Sequence, residues 1–261
     1  MKPLSELRGA SRLRGLLFDI DDTLTTEGRL TAEAYAALER WHASERLAVA
    51  VTGRPAGWCD HIARMWPVDA VVGENGAFYF RYREGRLVKR YQDDEPVRAE
   101  KRARLGAIAG RILAAVPGCA VSADQAYRET DLAIDFREDV APLPLDQAER
   151  IAAMMREAGL TAKISSIHVN GWFGGYDKLG MTKTLFSEQF AVQLDDANDQ
   201  YAFAGDSPND APMFAYFVNS IGVANVARFA GHLPAAPKYV ARKEAGAGFA
   251  EVVSQLLGKP R

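Results

Sequence analysis

Disulfide chemistry, zinc ligation and membrane insertion have little to work with in this sequence. Only two cysteines, Cys59 and Cys119, occur among 261 residues. They lie far apart, with no Cys-x-x-Cys or Cys/His spacing, so neither a disulfide framework nor a zinc site is indicated and a reducing cytoplasm fits best. Charge of one sign is missing as well: 32 Lys and Arg stand against 34 Asp and Glu, a net charge of −2. No global field therefore points to nucleic acid or to a membrane surface. No apolar run approaches membrane-spanning length. The stretch Met1 to Gly15, despite Lys2, Arg8, Arg12 and Arg14, lacks the apolar segment of a secretory signal and is read as a short leader into the first strand. Repeats and low-complexity tracts are absent. At this length, a 48% hydrophobic share suffices to bury one large core, or a core carrying a smaller domain. Nothing fixes an oligomeric state.

Short apolar runs alternate with helical patterns: Leu16 to Phe18, Leu47 to Val51, Ala70 to Val72, Tyr201 to Ala204 and Ile221 to Val223. That rhythm predicts a parallel α/β sheet. Thr31 can cap a helix running to about Ser44. Pro55 suits the first turn of another, in which Trp58, Ile62 and Met65 make a stripe read as core packing. Between Ala77 and Asn170 the pattern changes. Strands are expected at 77–80 and 87–91, a helix at 96–115, a strand at 132–136, a helix at 145–158 and a strand at 162–169. This predicts an inserted α/β domain with its own antiparallel sheet. The basic residues of its first part, from Arg81 to Arg104, are read as a solvated face.

The sharpest local feature is Asp19-Ile20-Asp21-Asp22-Thr23, directly after the first apolar run and so at the carboxyl end of a strand, where ligands bind in open α/β sheets. Carboxylates two residues apart repel unless a proton or cation neutralises them. Magnesium is the expected cation, since it takes oxygen ligands and keeps several waters. One arrangement explains the spacing: Asp19 attacks phosphorus, while Asp21 protonates the leaving oxygen and later activates water. In Thr52-Gly53-Arg54, the threonine hydroxyl and glycine amide can hold phosphate oxygens. Gly205-Asp206-Ser207-Pro208-Asn209-Asp210 ends another strand and opens a helix. Asp206 is the expected direct metal ligand, with Asp210 acting through water or as loop support. In Gly175-Tyr176-Asp177-Lys178 the lysine sits where its charge can offset phosphate and nucleophile.

These four elements, in this order, resemble the motifs of the haloacid dehalogenase superfamily of phosphohydrolases. Asp19-x-Asp21-x-Thr23 matches the first motif, Thr52 the second, Lys178 the third, and Gly205-Asp206-x-x-Asn209-Asp210 the fourth. The insertion between the second and third is what type IIB members carry as a cap, and Glu74-Asn75-Gly76-Ala77 looks like the segment by which they enter it. The resemblance implies a Rossmann-like parallel-sheet core in two parts, 1–79 and 173–261, with a C2B-type α/β cap at 80–172. It implies phosphoryl transfer through an aspartyl-phosphate, with magnesium held by Asp19, the Asp21 carbonyl and Asp206. Many relatives have glycine where this chain has Asp22, here given a local turn contact. Lys183, in Thr182-Lys183, is the reserve for the third motif, but the stretch Ile167 to Lys178 matches in length the one ending in Gly-Trp-Asp-Lys in phosphomannomutases.

The expected function is hydrolysis of a small phosphate monoester, a sugar phosphate or related metabolite. Gly53, Asn209 and the cap residue Arg128 are the candidate substrate-binding residues, although Arg128 serves equally well in a surface ion pair with Glu129 or Asp131. Two rivals stand beside it. A sugar phosphomutase needs a second phosphate clamp in the cap, for which Tyr127-Arg128-Glu129 is the comparable basic spot. A non-catalytic metabolite-binding module would keep the fold without turnover. His168, Asn170, Trp172 and Phe173 lie near the return from cap to core as candidate pocket residues, the two aromatics being read as packing.

Overall fold

The computed structural model describes residues 1–258, so the last three residues of the expected second core part lie outside the described residues. In chain order the strands are β1 (Lys2–Pro3), β2 (Gly15–Phe18), β3 (Leu47–Val51), β4 (Ala70–Gly73), β5 (Phe78–Arg83), β6 (Arg86–Tyr91), β7 (Ala120–Val121), β8 (Asp131–Asp135), β9 (Thr161–Ile164), β10 (His168–Trp172), β11 (Tyr201–Gly205), β12 (Asn219–Gly222) and β13 (Tyr239–Val240). The helices are α1 (Ala32–His42), α2 (Ala56–Met65), α3 (Glu95–Ala115), α4 (Leu145–Glu157), α5 (Lys178–Phe190), α6 (Leu194–Ala197), α7 (Ala211–Tyr216) and α8 (Ala245–Leu257). None of these helices is long and apolar enough to cross a membrane.

The main sheet has the order β1-β13-β12-β11-β2-β3-β4-β5-β6. It is parallel from β1 to β4. Its central strands are buried along their length (GLLF, AVVG, YAFAG), as strands covered on both faces must be. On one face Leu16, Phe18 and Ala50 meet Leu38 and Trp41 of α1 and Phe249 and Val253 of α8. On the other, Leu17, Val49 and Phe203 meet Met181, Leu185 and Phe186 of α5 and Met213 and Phe214 of α7. Chain order reverses between β2 and β11: β3 and β4 follow β2 to one side, β12 and β13 follow β11 to the other. The crevice at the carboxyl ends of β2 and β11 is therefore the topological switch point where such sheets bind ligands.

A second sheet, β7-β8-β10-β9, is antiparallel throughout. Its Leu132, Ile134, Ala162 and Val169 pack on Leu105, Ile108 and Ile112 of α3 and on Ile151 and Met155 of α4. The alternate positions, Asp131, Asp135, His168 and Asn170, are buried too and face away from those helices.

Four expectations are corrected. The strands expected at 77–80 and 87–91 do not join the inserted sheet; as β5 and β6 they extend the main sheet antiparallel from β4. The reason is packing: Phe78 and Phe80 enter one core layer and Tyr79 the other, so β5 is committed to the main sheet on both faces. Glu74 to Gly76 is accordingly a buried turn between β4 and β5, not the entry to the cap. The single strand expected at 162–169 is a hairpin, because the Ser165 hydroxyl donates to the His168 carbonyl and accepts from its N–H. Trp58 and Met65 are not core residues; they are 41% and 65% exposed, the buried positions of α2 being Ala56, Cys59, Ile62 and Ala63. Both cysteines are free.

Gly76 fixes where α5 begins. Its φ is +104°, and a Cβ there would lie 2.0 Å from the Asp177 carbonyl oxygen, an approach only glycine permits. Gly76→Ala should lower unfolding stability in urea by about 2 to 4 kcal/mol. An unchanged midpoint would show that this contact does not fix the α5 terminus.

Candidate active site

Local sequence aims each acidic group. Asp19 continues β2, its N–H donating to the Ala204 carbonyl of β11 at 2.9 Å, so the two strands hold Asp19 and Asp206 side by side. After β11, the Asp210 carboxylate accepts from the N–H groups of Asp206 at 3.0 Å and Ser207 at 3.4 Å, while Pro208 starts the following turn. That closes the loop and buries Asp206 and Asp210 completely. Asp177 caps α5 by accepting from the Gly180 N–H. Lys178 thus becomes the helix's first residue, and its ammonium donates to Asp19 at 2.9 Å and Asp210 at 2.7 Å.

Carboxylate oxygens of Asp19, Asp206 and Asp210 lie within 4.8 Å of one another. Burial pushes the Asp19 carboxyl up to about 8, against the pull of Lys178. Asp206 is pushed well above the usual carboxylate range by burial and then by Asp19 and Asp210. For Lys178, burial opposes the charge, but Asp19 and Asp210 outweigh it and hold the ammonium charged. Among the described residues the Asp206 carboxylate has uncharged donors, the Thr23 hydroxyl and the Asn225 amide, each at 3.2 Å. Ionised together, three buried acids with one lysine would carry net negative charge that takes protons or a cation to offset, and an all-oxygen donor set fits a hard divalent cation such as magnesium.

Asp21 turns elsewhere. Its carboxylate accepts from Arg54, Nε to Oδ1 and Oδ2 at 2.9 and 3.0 Å and Nη2 to Oδ1 at 2.7 Å. Asp19, Asp21, Gly53 and Asn209 share a cavity of about 10 Å³ with Ser165, Ile167, His168 and Asn170 of the inserted sheet. Thr52, wholly buried, accepts the Arg54 N–H on its hydroxyl at 3.0 Å. Asp22 takes the left-handed conformation, φ 55°; its N–H donates to the Thr25 hydroxyl at 3.3 Å within the turn and its carbonyl accepts from the distant Asn225 at 2.8 Å, both contacts of the backbone and not the local turn contact expected of its carboxylate.

The sequence-derived set is brought together except at two points. Lys183 lies on the surface against Asp195 at 2.7 Å, away from Asp19. Arg128 is neither a surface residue nor free to receive a ligand. Its guanidinium is buried, donating to Asp124, to Asp131 and to the Gly53 carbonyl. The two carboxylates hold it, because an arginine taken out of water must be paired. Sequence reasoning missed Arg54, although Thr52-Gly53-Arg54 was in view, and missed Glu74, Asp124, Glu138 and Asn225. Glu74 is wholly buried and accepts from the N–H groups of Ala56, Glu129 and Thr130, tying the two sheets' loops together. These partners are 55 or more positions apart in several cases, so no local pattern announces them.

Residues 16–100 match the sequence model of the haloacid dehalogenase-like hydrolases. No curated protein matches the chain. Among solved structures, a protein from Thermoplasma acidophilum is similar at 17% identity and TM-score 0.68, covering 94% of this chain and 98% of its own. The sucrose-phosphatase from Synechocystis, solved with sucrose and phosphate, is similar at 14% identity and TM-score 0.62, covering 95% of this chain and 100% of its own. A haloacid dehalogenase subclass IIB sugar phosphatase is similar at 15% identity and TM-score 0.59, covering 87% of this chain and 93% of its own. Residues 16–100 thus carry the sequence pattern of the haloacid dehalogenase-like hydrolases, and the whole fold, a parallel-sheet core with an added antiparallel sheet, is similar to that of these solved structures.

A cation bound by these acids must displace the protons that burial favours on Asp19 and Asp206. Magnesium affinity, measured by titration calorimetry, should therefore rise as pH climbs from 6 to 8 and above, with protons released on binding. Asp206→Ala should weaken it more than about tenfold. A pH-independent affinity, or one that Asp206→Ala leaves intact, contradicts this ligand set.

Proposed function

We propose that the protein is a magnesium-dependent phosphatase that hydrolyses a small phosphate monoester, a sugar phosphate or a related metabolite, through an aspartyl-phosphate on Asp19. The observation that carries this reading is the contact of Lys178 with Asp19, beside two further buried acids and within one small cavity with Asp21. The kinship of the fold with the sucrose-phosphatase and the subclass IIB sugar phosphatase supports the substrate class. The second sheet acts as the cap, which on sheet membership runs from beyond Tyr91 to Trp172.

Magnesium would be held by Asp19, Asp206 and the Asp21 carbonyl, with Asp210 behind them, and when bound supplies positive charge that offsets phosphate and carboxylate. Lys178 neutralises Asp19 so that its carboxylate approaches an anionic phosphate. Asp19 Oδ then bonds to phosphorus as the ester P–O bond breaks, and Asp21 gives its proton to the leaving oxygen. The Asp21 carboxylate next takes a proton from water, whose oxygen attacks the aspartyl-phosphate and frees phosphate. The Gly53 amide and Asn209 hold phosphate oxygens, while Thr52 steadies the loop carrying Gly53 through the Arg54 N–H.

The mutase reading loses ground because Arg128, the basic spot it would need in the cap, spends its donors on Asp124, Asp131 and Gly53. A non-catalytic module remains the reading to adopt if no phosphate ester is turned over with magnesium.

Asp19→Asn should reduce phosphate release from a panel of sugar and aryl phosphates below about one thousandth of wild type, with the fold retained by circular dichroism. Clean mutant protein with substantial turnover rules out this nucleophile. Lys178→Ala should cost about 100-fold or more, whereas Lys183→Ala should stay within a few-fold; the reverse ranking in steady-state assays would move the catalytic lysine to Lys183.

A further inference from the structure

Arg54 is 3% exposed and touches both halves of the molecule. On the core side it grips Asp21 through Nε and Nη2. Towards the cap, Nη2 donates to Glu138 Oε1 at 2.5 Å, and Nη1 to Glu138 Oε2 at 3.3 Å and Asp124 Oδ2 at 3.4 Å. Trp58 lies against the guanidinium at 4.5 Å from its ring centre. Glu138 is itself firmly presented. Its N–H and those of Arg137 and Asp139 all donate to the Asp135 carboxylate at the end of β8, and His168 Nε2 lies 2.9 Å from its Oε2.

An ionised carboxylate only accepts hydrogen bonds, so Asp21 needs an unoccupied oxygen to carry a proton to a leaving group. Arg54 holds Oδ1 twice, at 2.9 and 2.7 Å, and Oδ2 once, at 3.0 Å. Oδ2 is thus the oxygen most readily released, while Oδ1 stays clamped and fixes the rotamer. The clamp's own position is set by Glu138 and Asp124, which belong to the cap. With the cap lifted, the guanidinium keeps Asp21 but loses both partners that orient it. The cavity that Asp19 lines, about 10 Å³, is on the order of what a single water needs and far too small for a phosphate ester, so a substrate reaches Asp19 only as the cap shifts.

We propose that Arg54 is a positioning residue that couples cap closure, through Glu138, to the aim of the Asp21 carboxyl at the leaving oxygen. This rests on the phosphatase reading above. In the step concerned, the bond from Asp19 to phosphorus forms, the ester P–O bond breaks, and the Asp21 Oδ2 proton passes to the departing oxygen; Arg54 exchanges no proton.

The test exploits leaving groups. An alkyl phosphate needs a proton as its oxygen departs; a nitroaryl phosphate does not. Values of kcat/KM for both esters are compared in wild type, Asp21→Asn, Arg54→Lys and Glu138→Gln, with thermal melts to verify folding. Arg54→Lys should lower the alkyl value about 100-fold and the aryl value less than about 5-fold, as Asp21→Asn does, since the loss is confined to proton transfer. Glu138→Gln should shift the ratio in the same direction by about 10-fold, through a weaker hold on the clamp. Folded Arg54→Lys losing both activities equally would overturn the proposal, leaving Arg54 a structural tie. Glu138→Gln with the wild-type ratio would overturn the coupling to the cap. If Arg54→Lys fails to fold, Glu138→Gln decides alone. Wild type inactive on both esters would remove the phosphatase reading itself, a result distinct from either.

Discussion

Mutual repulsion among the buried acids Asp19, Asp206 and Asp210 is the constraint to which the rest of the site answers. Three carboxylates whose oxygens lie within 4.8 Å would not stay together in a dry interior without protons or positive charge. Lys178 supplies one such charge and contacts two of the three. The remaining imbalance sits on Asp206, which has the neutral donors Thr23 and Asn225. The main sheet holds this unfavourable cluster in place: β2 and β11 are adjacent parallel strands, both embedded between helical layers, and their ends cannot separate without opening the core. A cation would then complete a site that folding has already assembled.

The inserted sheet answers a second constraint, which is to cover a charged crevice without leaving its own polar groups unpaired. Its helix-packed face is apolar, and the opposite face carries Asp131, Asp135, His168 and Asn170, all buried. Arg128 is matched to Asp124 and Asp131, Arg54 to Asp21 and Glu138, and the Glu74 carboxylate to amide donors of the loop before β8. Such pairs contribute modest net stability because desolvation offsets much of their attraction. Their larger effect is on geometry, since the Arg54–Glu138 pair, the Glu74 contacts and the Arg128 contact with Gly53 are satisfied together in one relative placement of the two sheets.

How much of this was legible in the sequence follows the range of the interactions. The parallel strands and the acidic strand ends could be read, because a strand buried on both faces must be apolar, and Asp19 and Asp206 come directly after such runs. Lys178 could be preferred to Lys183 from the loop that precedes it, and the structure puts Lys178 against Asp19. The membership of β5 and β6 was not legible: Phe78, Tyr79 and Phe80 would satisfy either sheet, and the choice is made by α2 and α5 at remote positions. Arg128 was misplaced for a related reason. A basic residue between Tyr127 and Glu129 looks like surface, and its burial depends on pairing with Asp124 and Asp131 together with the contact with Gly53, 75 positions away. Arg54 and Glu138, 84 positions apart, carry no mutual signal at all.

The central claim is that Asp19 becomes covalently phosphorylated during turnover. Quenching the enzyme during hydrolysis of a sugar phosphate and reducing it with borohydride converts an aspartyl-phosphate to homoserine, which peptide mass spectrometry locates. The account predicts homoserine at residue 19 alone, dependent on both substrate and magnesium. Modification at another acid, or steady phosphate release with residue 19 unmodified under every quench time, would contradict it.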